Sequence, residues 1–174
     1  MQIVLAVVMS INGKITRGDE RSVTGWASHD DSLSFKELLA QHTVQIMGNK
    51  TYAGAELKAN PAKLRVIITR TPEAHTDDAT PGEVEYTNAS PQSVVKDLEA
   101  RGYTSAFLLG GSEIYGLFLG AGLVTDLYIT IEPFIFGSGI NLLSEIPENI
   151  RCQLVSSKQL NEQGTLLLHY QFQQ

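Results

Sequence analysis

The sequence predicts an α/β fold: a mostly parallel central sheet with an antiparallel hairpin at one edge. Three observations predict it. Short apolar runs alternate with helical patterns from the first residue to about residue 122. Beyond that point three strand-like runs follow one another with no helical pattern between them. No repeat, low-complexity run or linker divides the 174 residues, of which 43% are hydrophobic, so residues 1–174 read as a single domain with its own core.

Taken in order, "IVLAVVM" (3–9) is apolar throughout, as a strand buried on both faces must be. Ser28 to about Gln41 has helical periodicity, and "TVQIMG" (43–48) returns to strand. A short helix is expected near Lys50. Strands are expected at "LRVIIT" (64–69) and, more weakly patterned, at "EVEYT" (83–87). Ser90 can cap a helix that runs to Arg101 and stops at Gly102. "TSAFLLG" (104–110) and "SEIYGLFLGAG" (112–122) give the next strand and helix. "TDLYITIEPFIFG" (125–137), "RCQLVSSKQL" (151–160) and "GTLLLHYQF" (164–172) complete the sheet, the last two joined by a turn at Asn161–Gly164.

Composition excludes several function classes. With 13 basic and 19 acidic residues the net charge is -6, unsuited to a broad nucleic-acid interface. Cys152 is the only cysteine and the four histidines lack ligand spacing, so neither a disulfide nor a metal site is expected. The apolar opening lacks a basic flank and is too short to cross a bilayer, so a cytoplasmic protein without membrane attachment is expected.

The segment "GWASHDDSLSF" (25–35) sets a chemical question. Ser28 and Asp31 have the spacing of a capping box, in which the acid returns a bond to the cap's amide. At about 100° per residue, however, Asp31 falls on one stripe with Phe35, Leu38, Leu39 and His42, whereas Asp30 falls with Glu37 and Gln41. An acid on an apolar stripe needs a partner or a raised pKa, and such groups bind N–H donors or manage protons. The candidate catalytic residue is therefore Asp31.

Four segments then coincide with one family. Trp26, Asp31 and Phe35, the run "MGNKTY" (47–52), "LLGGSEIYGLFL" (108–119) and "LYIT" (127–130) resemble, in order and spacing, the dihydrofolate reductase superfamily. The resemblance covers nearly the whole chain and implies that family's three-layer fold, with NADPH as cofactor. It assigns the cofactor to Val8, Gly13 and Ile15, to Gly48, Asn49, Lys50 and Thr51, and to Gly110, Gly111, Ser112, Glu113, Ile114 and Tyr115. Thr69 and Arg70 would meet the adenosine 2′-phosphate. The substrate ring would lie among Ala6, Val8, Trp26, Asp31, Phe35 and Thr130, with Lys63 on the tail of a folate.

Two branches of the superfamily share these features. The Trp26–Asp31–Phe35 set and "MGxxTY" fit the folate branch, which makes reduction of dihydrofolate to tetrahydrofolate the first choice. "MSINGKIT" (9–16) and "EPFIFGSGINLL" (132–143) instead resemble the reductase of riboflavin synthesis, which acts on 5-amino-6-(5-phosphoribosylamino)uracil; that is the alternative, although its "DDPxL" segment is missing here. Lys63 replaces a bidentate arginine, Asn49 replaces a frequent cofactor-binding arginine, and Ser32 stands where a bulky apolar residue commonly lines the pocket. A third reading is a catalytically silent ligand-binding protein of the same fold. The expected partner is a small molecule, dihydrofolate or a related pyrimidine, bound to a monomer or homodimer.

Overall fold

A computed structural model describes residues 1–20, 22–55, 57, 60–143 and 149–173. Eight strands form one sheet: β1 (Gln2–Ser10), β2 (Val44–Gly48), β3 (Leu64–Ile68), β4 (Val84–Thr87), β5 (Ser105–Gly110), β6 (Asp126–Glu132), β7 (Cys152–Gln159) and β8 (Leu166–Phe172). Their order across the sheet is β4-β3-β2-β5-β1-β6-β8-β7. Every pair from β4 to β6 is parallel, and β8 and β7 add the antiparallel edge. The helices are α1 (His29–Ala40), α2 (Asn49–Gly54), α3 (Pro91–Ala100) and α4 (Ser112–Gly120), with a 3-10 turn at Pro72–His75.

Alternation along the strands sorts the core into two layers. Ile3 and Leu5 of β1 face Val94, Val95 and Leu98 of α3 and Ile114 and Phe118 of α4. Val4 and Ala6 face the opposite way, with Phe107, against Phe35, Leu38 and Leu39 of α1. Phe107 and Phe118 are fully buried, each worth roughly 2–3 kcal/mol of transfer free energy.

Capping follows the sequence. Ser28 and Ser90 accept the amides of Asp31 and Ser93 at the starts of α1 and α3, and Gly102 takes a left-handed φ of 87° just past α3. One boundary differs from expectation. The strand expected over 125–137 ends at Glu132, because Pro133 has no amide to donate to a ladder. Residues 133–143 leave the sheet and become free to fold over its end.

Candidate active site

Asp31 is 6% exposed although it lies in the first turn of a helix. Ser28 Oγ holds its amide at 3.2 Å, but the other half of the capping box is not made by Asp31. The Ser28 amide donates instead to Glu132 Oε1 at 2.7 Å. The Asp31 carboxyl is thus released from the cap and enters a small cavity between α1 and strands β1, β6 and β8. Ala6, Val7, Phe35, Leu38, Tyr128, Thr130 and Leu167 form most of its walls, and it encloses about 220 Å³ including the solvent at its mouth. Burial pushes the carboxyl above the usual aspartate range; the Thr130 hydroxyl, donating to it, acts in the opposite direction, and the Glu132 charge pushes it further up. Asp30 lies partly exposed, its Oδ2 accepting from Asn161 Nδ2 at 3.3 Å.

The double glycine ends β5. Gly110 has φ of 90° and its bond to Gly111 is cis. A Cβ on Gly110 would stand 2.6 Å from Cζ of the buried Tyr115 ring, so only glycine fits. Gly111 is the N-cap of α4 and Gly48 the N-cap of α2, and neither helix start has a side-chain cap. The two starts converge: a Cβ on Gly111 would lie 3.4 Å from Thr51 Oγ1, and one on Gly48 would lie 3.1 Å from Ile114 Cγ1. Serine side chains cap α1 and α3, whereas among the described residues no side chain caps these two starts, as an anion site requires.

Strand register sets the distance between acid and glycines. Leu5 of β1 pairs with Leu108 on one side and with Leu127 on the other. Gly110 lies two residues beyond the first partner and Thr130 three beyond the second, toward the same end of the sheet. With about 4.8 Å between neighbouring strands, the two features flank β1 about 10 Å apart. The cavity beside Asp31 does not itself reach the glycine turn.

The segment after β1 is pinned by the one after β6. Ile15 N donates to Ile140 O at 2.9 Å, Leu142 N to Gly13 O at 3.0 Å, and Gly18 N to Ser138 O at 3.0 Å. Ile140 N reaches Thr16 Oγ1 at 2.8 Å and Lys14 Nζ reaches Asn141 Oδ1 at 2.7 Å. Gly13 and Ile15, expected at the cofactor, therefore commit these backbone groups to the clamp. Trp26 is buried with its ring edge-on to Phe136, centroids 5.1 Å apart. Its Nε1 is buried with no partner among the described residues.

The remaining expected residues are spread along the sheet end. Val8 pairs with Thr130 across β1 and β6. Lys50, Arg70 and Glu113 are exposed and Thr69 half-buried; Lys50 and Arg70 make no ion pair among the described residues. Asn49 Nδ2 meets His75 Nε2 at 3.1 Å, and that ring stacks on Tyr86 with centroids 4.5 Å apart. Lys63 is the misfit. Its ammonium donates to the His42 carbonyl at the N-terminal ends of β2 and β3, away from the glycine turn. Sequence reasoning missed Glu132, Asn12 and His75. The acid ending the apolar alternation of "LYITIE" was the available signal for the first.

The model of one family, described as the RibD C-terminal domain, matches residues 1–166. The chain belongs to that family. The RibD-type chain is similar over its full length to a putative riboflavin biosynthesis protein from Shewanella sp. PV-4, with a TM-score of 0.81 at 17% identity and 100% of each chain covered. A pyrimidine reductase-like protein from Corynebacterium diphtheriae gives a TM-score of 0.78 at 15% identity, covering 99% of this chain and 92% of that one. A diaminohydroxyphosphoribosylaminopyrimidine deaminase/5-amino-6-(5-phosphoribosylamino)uracil reductase from Thermotoga maritima gives 0.75 at 19% identity, with 99% of this chain spanning 56% of that one. Among curated proteins, the uncharacterized protein YwjB of Bacillus subtilis (strain 168) is 22% identical over 175 residues, 96% of this chain and 95% of its own.

The superfamily and its fold are as the sequence implied; the first choice of substrate is corrected. The family match overturns dihydrofolate, and with it the folate keywords and the folate-tail role of Lys63. The two segments that resembled the riboflavin branch, 9–16 and 132–143, are the two halves of the clamp. Among the described residues no helix is long and apolar enough to cross a membrane, and no cluster of three or more His, Cys, Asp or Glu side chains could hold a metal ion.

Proposed function

We propose that this RibD-type chain is an NADPH-dependent reductase of a pyrimidine carrying a phosphoribosylamino group, as in the reductase named for the Thermotoga maritima relative. One observation carries the reading: a buried acid with a raised pKa and a pair of open helix starts flank β1 at the same end of the sheet.

The residues fit a dinucleotide. The amides of Ser112 to Ile114 and of Asn49 to Thr51 surround the glycine N-caps and suit a pyrophosphate. From β1 the order β5, β2, β3 carries the far end of such a ligand about 14 Å to Thr69 and Arg70. Arg70 and Lys50 supply positive charge there, which favours the phosphorylated cofactor. Bound reduced nicotinamide supplies a hydride.

On the other side of β1, Ala6, Val8 and Phe35 hold the substrate ring near Asp31. A ribosylamine opens to an imine and its sugar hydroxyl; reduction adds hydride to the imine carbon and a proton to the nitrogen. Asp31, kept protonated to higher pH by its burial, holds that proton at a carboxyl oxygen and Thr130 fixes the carboxyl's direction. Burial of the site excludes water that would hydrolyse the imine.

The test is to mix purified protein with NADPH and 5-amino-6-(5-phosphoribosylamino)uracil and follow nicotinamide absorbance. Oxidation that depends on the pyrimidine, and is faster with NADPH than with NADH, supports the reading. Cofactor binding without turnover of this substrate refutes it.

A further inference from the structure

Glu132 is a carboxylate only 2% exposed, at the end of β6 and two residues beyond Thr130. Both its oxygens are engaged. Oε1 accepts the Ser28 amide at 2.7 Å and Oε2 the Thr165 hydroxyl at 2.7 Å. Thr165 is itself held by Asn161, whose Oδ1 accepts the Thr165 amide at 3.1 Å and whose Nδ2 reaches Thr165 Oγ1 at 2.9 Å and Asp30 Oδ2 at 3.3 Å. The turn between β7 and β8 is thereby tied twice to the first turn of α1.

The Ser28 amide is the bond that a capping-box acid at position 31 would otherwise take. Glu132 occupies it from another strand, while Ser28 Oγ keeps the backbone of Asp31 in place. We infer that Glu132 is the positioning residue for Asp31: by substituting for it in the helix cap, it turns the Asp31 carboxyl out of the cap and into the cavity. This rests on the reading of Asp31 as the site's acid. Among the described residues the hydrogen bonds of the Glu132 side chain lead only to the cap of α1 and to the hairpin turn. The groups that face Asp31 are Thr130, Tyr128 and Glu132 from β6; Ala6, Val7 and Leu167 from β1 and β8 carry no charge, and Asp30 is directed to Asn161.

The experiment is a carbon-13 carboxyl NMR titration of the ligand-free protein, with the Asp31 resonance assigned by its loss in Asp31→Asn. In Glu132→Gln the amide oxygen still accepts from Ser28 but the charge is gone. The Asp31 midpoint is expected to fall by about half a pH unit or more, and the alkaline limb of turnover to shift down with it, while KM for NADPH stays the same. Thr165→Val keeps the charge and removes one of its two donors; it should speed hydrogen exchange at the Ser28 amide and move the Asp31 resonance, and it decides the matter if Glu132→Gln does not fold. Folded variants with wild-type Asp31 midpoint and wild-type Ser28 exchange overturn the inference. Full turnover by Asp31→Asn would instead overturn the functional reading and leave the coupling seen by NMR standing.

Discussion

The Asn12 side chain grips both backbone polar groups of Phe136: Nδ2 donates to its carbonyl at 2.8 Å and Oδ1 accepts its amide at 3.1 Å. Oδ1 also accepts the Ser10 hydroxyl at 2.8 Å. The end of β1 and the chain after β6 are joined at this point, and the Phe136 ring so placed packs on Trp26.

Asn12→Ala should therefore loosen the clamp without touching the sheet. Loss of these bonds costs about 1–3 kcal/mol. Trp26 is the only tryptophan, so its fluorescence reports the change directly: the emission should shift to the red, with turnover reduced several-fold. An unchanged spectrum would show that the indole does not depend on this grip.

Asp31→Asn separates chemistry from stability. Turnover at neutral pH should fall by about two or more orders of magnitude, the usual scale for a general acid, while Asp30→Asn stays near wild type. The fold should become more stable. Because the native pKa of Asp31 is raised above its unfolded value of 3.8, the native state binds the extra proton. That contribution is fully present below 3.8 and lost as pH rises through the higher native value. Once ionised, the buried acid is a liability that asparagine removes. Thermal melts of wild type and variant at neutral pH check the sign.

Asp126 should behave in the opposite sense. Burial pushes its pKa up, but donors from Gln2, His169, Thr125 and Gln171 outweigh it, and the net shift is below the ordinary 3.8. Its stabilisation is present above 3.8 and lost as pH falls through the lower native value. Asp126→Asn should cost about 3 kcal/mol near neutrality, the scale for breaking a buried charged network. Denaturant midpoints of the two proteins should converge as the pH is taken below 3.8.

The two glycines of the turn should fail differently. Gly110→Ala places a Cβ against Tyr115 Cζ at 2.6 Å in a left-handed backbone, and should lower the melting temperature markedly. Gly111 has an ordinary φ of -78°, so Gly111→Ala should fold normally. Its Cβ would stand between the starts of α4 and α2, beside Thr51, and should weaken NADPH binding about tenfold or more. Fluorescence titration with the cofactor distinguishes the two, and equal binding by wild type and Gly111→Ala would remove the pyrophosphate from that cleft.

Local patterns account for what was legible in advance. The parallel strands were readable because runs such as "IVLAVVM" are buried on both faces. The placement of Asp31 was readable because helical periodicity alone puts it on the stripe that Phe35 and Leu38 share. The antiparallel edge followed from three strands without helices and a turn at Asn161–Gly164, where Gly164 has φ of 95°. The end of β6 was misjudged because apolar residues continue past Pro133, and their destination is a clamp rather than a ladder.

By itself the sequence determined the α/β fold, the inward acid and the glycine turn, because each depends on residues a few positions apart whose periodicity or backbone freedom dictates the outcome. Only the tertiary structure decided how segments more than a hundred residues apart are used. It joined Asn12 to Phe136 and Ser28 to Glu132, and it bound Lys63 to a backbone carbonyl 21 residues away. Side-chain hydrogen bonds between distant segments have no sequence period, so their partners become visible only when burial has brought the donors and acceptors together.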